Sequence, residues 1–580
     1  MKSLLAGLAV LGLALGAAGA DGRESAHAAA KPRPNVVVIE TDDQTSEEMR
    51  VMRNTLNLIG AQGTTFDNSF VSLSLCCPSR STFLTGQYAH NHGVLTNSPP
   101  NGGFAKLDHT NTLAVWLQKA GYNTALVGKY LNGYGKKGQQ TLIPPGWTEF
   151  HAGVNLSYLN WTLNDNGSLV RYGSSPGDYQ SDVLSAKAVD VINRRAPEAK
   201  PLFMWVTYHA PHSGGPREAD DPKGLGTVNV ADKYKNHFAA EPLPNMPSFN
   251  EADISDKPVG IRNRPVLTQA KIAAIREAYQ QQLESLLSVD DGVKAIVDAL
   301  RASGELDNTL LVFTDDNGFF HGQHRVPSGK VLLYEPSIRV PLLVRGPGVP
   351  KGKHLKQVVA NIDLAPTIVA VAKAKAGRVM DGKSLLPLFK HPSQQWGRDL
   401  LIERGPAGEQ KSGAGQMGEI GNGDNGNQGK TAAPGDQRFA AIRTPRYLYA
   451  EYANGEKELY DLAKDPDELN NLAFDAAYAT LRAQFSARLA KLQSCKGAVC
   501  RVGPIVALSV RCSSSKLSAS VSGADSVLIA SVSFSVNGHL RASDSKAPFG
   551  ARLSRPKRAT VDARIALMDG RVVIRQHGCR

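Results

Sequence analysis

Two apolar runs of strand length end directly in acids. Val36-Val37-Val38-Ile39 leads into Glu40-Thr41-Asp42-Asp43, and Leu310-Leu311-Val312-Phe313-Thr314 leads into Asp315-Asp316-Asn317-Gly318. In an open parallel sheet the carboxyl ends of the strands form the ligand crevice. Carboxylates and an amide converging there make an all-oxygen site, which suits Ca²⁺ or Mg²⁺ better than zinc. Taken singly, Asp-Asp and Asp-Asn-Gly are ordinary turn or cap residues. Their weight depends on what else the chain brings to the same edge.

Further strand-length runs occur at residues 124–127, 202–207 and 340–344. Helical patterns lie between them, at 113–120 before Gly121 and over 271–302, with a break expected near Asp290-Asp291-Gly292. Strands alternating with helices predict an α/β domain on a mostly parallel sheet. Residues 405–437 are rich in Gly, Asn, Gln and Ala and read as a flexible insertion. A hairpin at 440–452 and an amphipathic helix at 480–492 follow. Beyond Pro504 the pattern becomes short alternating runs, such as Ser531-Val532-Ser533-Phe534-Ser535-Val536 before the turn pair Asn537-Gly538, and predicts a small β-sandwich. The expected organisation is a leader over 1–30, a main domain over 31–404, the insertion, a subdomain over 438–494 and a basic all-β domain over 495–580.

The chain opens Met1-Lys2, continues as an Ala/Leu/Gly run over 4–20 and closes that run with Ala18-Gly19-Ala20. A basic start, an apolar middle and a small-residue cleavage site make a secretory signal peptide, so the protein is expected to be secreted or periplasmic. Gly7, Gly12 and Gly16 interrupt the run and Asp21 follows it, which argues against a membrane anchor. No other apolar stretch reaches the roughly 18 residues a membrane span needs. Four of the six cysteines, Cys495, Cys500, Cys512 and Cys579, lie near the C-terminus, where an oxidising compartment favours disulfides. The preferred pairing is Cys495–Cys500 with Cys512–Cys579, because the second bond ties together the ends of the tail. The net charge of the 580-residue chain is +13, of which residues 495–580 carry +10. A nucleic-acid protein should be basic where it works, and the main part of this chain is nearly neutral. The basic tail is then either a solvated surface or a patch that attracts an acidic polymer.

The remaining cysteines sit in Cys76-Cys77-Pro78-Ser79-Arg80, followed by Leu84-Thr85-Gly86. This segment resembles the signature of the sulfatases, in which a formylglycine-generating maturation enzyme converts the first Cys to formylglycine. That residue here is Cys76, and Cys77 fills a variable position. Residues 35–44 and 314–318 resemble the two metal-binding strand ends of the family. Gly128-Lys129-Tyr130-Leu131-Asn132, His209-Ala210-Pro211-His212 and Gly329-Lys330 resemble the blocks that carry its active-site Lys, His and second Lys. Glu458-Leu459-Tyr460-Asp461-Leu462 resembles its small C-terminal subdomain. The resemblance runs in blocks over roughly 34–492 and is closest in character to the N-acetylglucosamine-6-sulfatase-like group.

The resemblance implies an alkaline-phosphatase-like α/β/α sandwich with a small C-terminal α+β subdomain, to which this chain appends an all-β, Ig-like domain. It implies hydrolysis of an aryl or carbohydrate sulfate ester, on a small molecule or a sulfated glycan. Asp42, Asp43, Asp316, Asn317 and modified Cys76 would hold Ca²⁺, with Mg²⁺ as the alternative. Arg80 and Lys129 would hold the hydrated formylglycine, and His212 and Lys330 would contact the sulfate. Physical need agrees, because an anionic sulfate ester repels nucleophiles until cations neutralise it. A geminal diol can attack sulfur with one hydroxyl and later expel sulfate with the other. In one respect the chain departs from many sulfatases, which carry a His two residues after the first Lys. Here that position is Leu131, which leaves His90, His92 and His209 as candidates for the base, with packing or helix-end roles favoured for the first two. Two other readings remain: a phosphonate or phosphodiester hydrolase of the same superfamily, and an inactive polyanion-binding protein.

Overall fold

The computed structural model describes residues 33–136, 138–405, 437–501, 503–523 and 525–579. The expected leader and nearly all of the expected insertion lie outside them. Among the described residues, no helix is long and apolar enough to cross a membrane.

Ten strands form the central sheet: β1 (Asn35–Asp42), β2 (Thr64–Phe66), β3 (Asn123–Gly128), β4 (Glu149–Gly153), β5 (Thr162–Asp165), β6 (Ser168–Arg171), β7 (Leu202–Pro211), β8 (Thr309–Asp315), β9 (Leu342–Arg345) and β10 (Lys353–Leu355). Their order is β10-β2-β9-β8-β1-β7-β3-β4-β5-β6. Strands β8, β1, β7, β3 and β4 run parallel. β9 is antiparallel to β8, and β5 to β4. The two acid-tipped strands are therefore neighbours, with Ile39 opposite Phe313 and Thr41 opposite Asp315. Their carboxyl ends share one edge, as the sequence requires if the acids are to meet.

Every residue of β1 is buried, and its apolar side chains divide between two layers. Val36 and Val38 pack with residues of α1 (Cys76–Thr85), α2 (Leu113–Lys119) and α5 (Leu364–Ala372). Val37 and Ile39 pack with α3 (Gln180–Arg195) and α4 (Gln269–Ala302). Helices on both faces of a mostly parallel sheet give the α/β/α arrangement, with each buried Val or Ile contributing about 1.5–3 kcal/mol.

α4 corrects one expectation, because it runs unbroken through Asp290-Asp291-Gly292. Both apparent breakers serve tertiary contacts. Asp290 accepts hydrogen bonds from the Asn54 and Thr55 amides, each at 2.8 Å. Gly292 lets α4 approach α3 and β7: a Cβ there would lie 2.2 Å from Ser185 Oγ and 2.4 Å from Tyr208 OH.

A second sheet has the antiparallel order β11 (Leu400–Arg404), β12 (Phe439–Arg443), β13 (Tyr447–Tyr452) and β14 (Lys457–Asp461). It is followed by α6 (Ala479–Leu492). The tail forms two more sheets. One has the order β15 (Ala507–Cys512), β16 (Lys516–Ser522), β19 (Gly550–Ser554); the other has β18 (His539–Asp544), β17 (Ile529–Val536), β20 (Ala559–Leu567), β21 (Val572–Cys579). Asn537 and Gly538 both take positive φ in the two-residue turn between β17 and β18, as the hairpin demands. Both disulfides have the expected pairing, Cys495–Cys500 and Cys512–Cys579.

The tail does not stand apart. Leu517, Val532, Phe534 and Ile565 belong to the same apolar cluster as Leu448, Tyr449, Phe485 and Leu489 of the preceding subdomain. Arg571 pairs with Asp399 at 2.7 Å, and Arg446 donates to the Met568 carbonyl at 2.9 Å. We predict that Gly292→Ala lowers stability by about 1–3 kcal/mol through overpacking, read from a denaturation midpoint. An unchanged midpoint would mean that this glycine does not set the α3–α4 spacing.

Candidate active site

Asp42 closes β1, and Asp43 follows with φ 71°, a left-handed conformation that non-glycine residues seldom adopt. Asp43 comes within 3.7 Å of His212 and receives the Lys330 ammonium. The adjacent strand β8 delivers Asp315, Asp316 and Asn317. Asp315 accepts the Asn317 amide at 2.9 Å and so closes the turn. Asn317 Nδ2 donates to Asp43 Oδ1 at 2.6 Å.

Cys76 is the first residue of α1, entered from an extended Leu75. Its Sγ lies 3.5 Å from Asp42 Oδ1 and 2.9 Å from Lys330 Nζ. Cys77 points the other way, into the apolar layer with Phe83, Leu84 and Leu113. Burial pushes its thiol up to about 12. Burial, with Asp316 and Asp42 nearby, also drives the Cys76 thiol well up. As a plain thiol Cys76 stays protonated and is a poor nucleophile.

Arg80 lies four residues after Cys76 and hence on the same helix face. It is fully buried and held on all sides. Nε bonds Asp316 at 2.7 Å, Nη1 bonds the Lys129 carbonyl at 3.0 Å, and Nη2 reaches Asp42 at 3.5 Å. Lys129 leaves β3 after Gly128, whose φ is 118°. A Cβ on that glycine would lie 1.9 Å from the Thr207 carbonyl. The Lys129 ammonium pairs with Asp42, and the Lys330 ammonium with Asp43. Burial alone would raise Asp42, but Lys129, His212, Arg80 and Lys330 outweigh it and hold the carboxyl well below the ordinary range. Burial would lower Lys330, and Asp43 outweighs that, so its ammonium persists.

His212 follows β7 and, at 12% side-chain exposure, is more open than the acids and cations around it. Its Nδ1 faces the Ser213 carbonyl at 2.8 Å. A carbonyl only accepts, so Nδ1 carries a proton and Nε2 is the exchangeable nitrogen. The nine residues that the resemblance marks for metal, nucleophile or sulfate contact, Asp42, Asp43, Cys76, Arg80, Lys129, His212, Asp316, Asn317 and Lys330, thus meet at the carboxyl end of the sheet.

The donor set suits a hard divalent cation. Ligand atoms of Asp42, Asp43, Cys76 and His212 lie within 4.8 Å of one another. Asp316 Oδ1 and Asn317 Oδ1 are buried oxygens with no hydrogen-bond partner. Unpaired buried oxygens beside clustered carboxylates are what oxygen-ligated Ca²⁺ or Mg²⁺ satisfies.

The histidine candidates separate. His92 uses both ring nitrogens, Nε2 with Thr82 Oγ1 and Nδ1 with the Val94 amide, each at 3.1 Å. His90 bridges Glu403 and the Cys495 carbonyl, each at 3.0 Å. His209 alone of the three joins the site: its ring stacks on His212 at 4.9 Å and packs against Tyr158 at 5.2 Å. Leu131 is buried in the apolar layer.

Two contributors had no assigned role in the sequence reading. Glu40 sits behind Arg80, with Oε1 3.3 Å from Nη1 and Oε2 accepting from the Trp205 indole at 3.3 Å. Burial pushes its carboxyl up to about 8 against the pull of Arg80. Its place as the first of the acids that close the Val/Ile run was the available signal. Tyr158 donates to the His212 carbonyl at 2.7 Å, and nothing in its local sequence announced that.

Burial would lower His90, but the Glu403 carboxylate outweighs it and raises its pKa. A group raised in the folded state stabilises it fully below the ordinary histidine value, and that gain is lost as pH rises through the folded value. We therefore expect His90→Asn to cost more thermal stability at about pH 5.5 than at about pH 9. Equal costs would reduce His90 to packing.

The family model described as Sulfatase matches residues 34–374. The human N-acetylglucosamine-6-sulfatase is 34% identical over 527 residues, covering 85% of this chain and 89% of that protein. Among solved structures, one in complex with its substrate D-glucosamine-2-N,6-O-disulfate aligns with TM-score 0.59 at 23% identity, covering 80% of this chain and 97% of the other. The phosphonate monoester hydrolase of Agrobacterium radiobacter aligns with TM-score 0.58 at 21% identity, covering 80% and 96%. At these identities the two structures show the fold alone.

Proposed function

The chain belongs to the sulfatase family, and from that premise we propose that it hydrolyses a sulfate ester on a carbohydrate, with Cys76 as formylglycine and a divalent cation in the site. That it is a sulfate-ester hydrolase follows from the family; the substrate, the modification and the metal are the finer reading. The observation that carries it is the placement of Cys76 Sγ beside Lys330 Nζ at 2.9 Å and Asp42 at 3.5 Å, inside a ring of buried cations. The carbohydrate assignment rests on relatives such as the human enzyme, whose name specifies the 6-sulfate of N-acetylglucosamine.

Formylglycine at Cys76 supplies, once hydrated, an oxygen nucleophile with a second hydroxyl that can expel sulfate. Ca²⁺ or Mg²⁺, held by Asp42, Asp43, Asp316, Asn317 and the modified residue 76, supplies positive charge for the sulfate oxygens. The chain's own residues do the rest. Lys330 reaches both residue 76 and the acids, so it links the nucleophile to the incoming anion. Arg80 and Lys129 keep Asp42 ionised and fix the turn that presents residue 76. His212 stands at the open side with Nε2 free to exchange a proton, which suits delivery to the departing alcohol oxygen as its bond to sulfur breaks. His209, stacked behind it, orients that ring.

Two disulfides support a secreted or periplasmic protein, since such bonds persist in oxidising compartments. The maturation enzyme that acts on Cys76 is the partner this reading requires. Phosphonate hydrolysis is the competing chemistry on this scaffold, and an aryl sulfate assayed beside an aryl phosphonate separates the two.

Cys76→Ala should reduce sulfate-ester turnover to background while the protein stays folded. Cys77→Ala should keep turnover and cost roughly 1 kcal/mol of stability, as a modest core truncation does. Mass spectrometry of the Cys76 peptide from the native host should show the aldehyde; an unmodified thiol would overturn the reading. Chelation should abolish turnover and lower the melting temperature, and added Ca²⁺ or Mg²⁺ should restore both, because an ion that binds only the native state stabilises it. A chelator-insensitive enzyme would remove the metal from the proposal.

A further inference from the structure

The outer face of the three-stranded tail sheet is cationic and free of acids. Outward positions alternate with buried ones, so Ser509 and Arg511 of β15, Lys516, Ser518, Ser520 and Ser522 of β16, and Arg552 and Ser554 of β19 all face solvent. Arg511 is the register partner of Ser518, and Ser518 of Arg552. The two guanidinium groups therefore arise in one row, two strand spacings or roughly 10 Å apart. Lys516 stands two residues along the middle strand, about 7 Å from that row. Among the described residues, no ion pair forms at Arg511, Lys516 or Arg552.

The acids of the tail are spent elsewhere. Asp569 is buried against Arg571, and Asp525 is buried and accepts the Ile505 amide at 2.6 Å. Asp562 lies on the other sheet with Gln576, and Asp544 caps the Lys546 and Gly550 amides. The Cys512–Cys579 disulfide joins β15, next to Arg511, to β21. The cationic row thus stands on a braced sheet.

We propose that this face binds a sulfated polysaccharide and holds the enzyme on polymeric substrate. The inference rests on the carbohydrate-sulfate reading above. The chemistry of the face selects the occupant. The three cations arise from backbone positions roughly 7–10 Å apart on three neighbouring strands, so they spread positive charge over a face that a chain bearing anions at intervals can cover. Serine hydroxyls between them offer hydrogen bonds to sugar hydroxyls and sulfate oxygens. The face has no aromatic side chain for base stacking and no large apolar side chain to enter a membrane, which disfavours single-stranded nucleic acid and lipid.

The test uses the full, matured chain and the triple variant Arg511→Ser, Lys516→Ser, Arg552→Ser. On immobilised heparin the variant should elute at lower salt and bind at least tenfold more weakly, with a shallower dependence of affinity on salt. Its KM for sulfated polysaccharide should rise while kcat/KM for a small aryl sulfate stays at the wild-type value. Unchanged heparin affinity would overturn the proposal. So would equal wild-type affinity for duplex DNA or for unsulfated hyaluronan, because the face would then be a general polyanion surface. Loss of wild-type activity on the small ester would instead count against the catalytic reading, so the two failures are distinguishable.

Discussion

Several carboxylates must stay buried at one sheet edge, and much of the structure serves to make that tolerable. Like charges in a low-dielectric interior repel strongly unless cations and hydrogen bonds surround them. Arg80 meets most of this need: its fixed planar fork touches Asp316, Asp42 and Glu40 at once. A lysine could not make that set of directed contacts. The helix that carries Arg80 also carries Cys76 one turn earlier, so the group that balances the acids and the reacting residue move together.

The backbone is shaped to the same end. Gly128 allows Lys129 to turn in beneath Thr207, and Asp43 takes a left-handed conformation that few residues adopt. Such conformations cost energy and persist where the surroundings over-determine them. Here the surroundings are the ion pairs themselves. The C-terminal subdomain contributes by anchoring the segment after Lys330. Tyr334 donates to Glu458 at 2.7 Å, the Glu335 amide donates to Glu468 at 2.9 Å, and Arg443 reaches Glu335 at 2.7 Å. The ammonium of Lys330 is thereby held from a part of the chain remote in sequence.

Much of the central sheet was legible because its strands are fully buried and its helices periodic. The positions of β1, β3, β7 and β8, the C-terminal hairpin and α6 all follow from apolar runs and turn residues. What misled was local chemistry recruited for tertiary use. Asp290 and Gly292 read as a break, yet α4 continues because one side chain serves the Asn54 and Thr55 amides and the missing side chain of the other admits Ser185 and Tyr208. The tail is set apart in sequence by its charge, but charge reports on surfaces, and its apolar core is continuous with that of the subdomain.

By itself the sequence determined the residue types of the site and the order in which the chain delivers them, because motif residues and strand-end acids are set by covalent order. Which cysteine faces the acids was decided by the helix, which turns successive side chains about 100° apart and so sends Cys76 inward to the site and Cys77 into the core. Which histidine stands behind His212, and which carboxylate backs Arg80, were decided by tertiary structure alone. Those choices depend on contacts between segments far apart in the chain, such as Glu40 with Arg80 and Tyr158 with His212, and no local pattern encodes a distance that only folding creates.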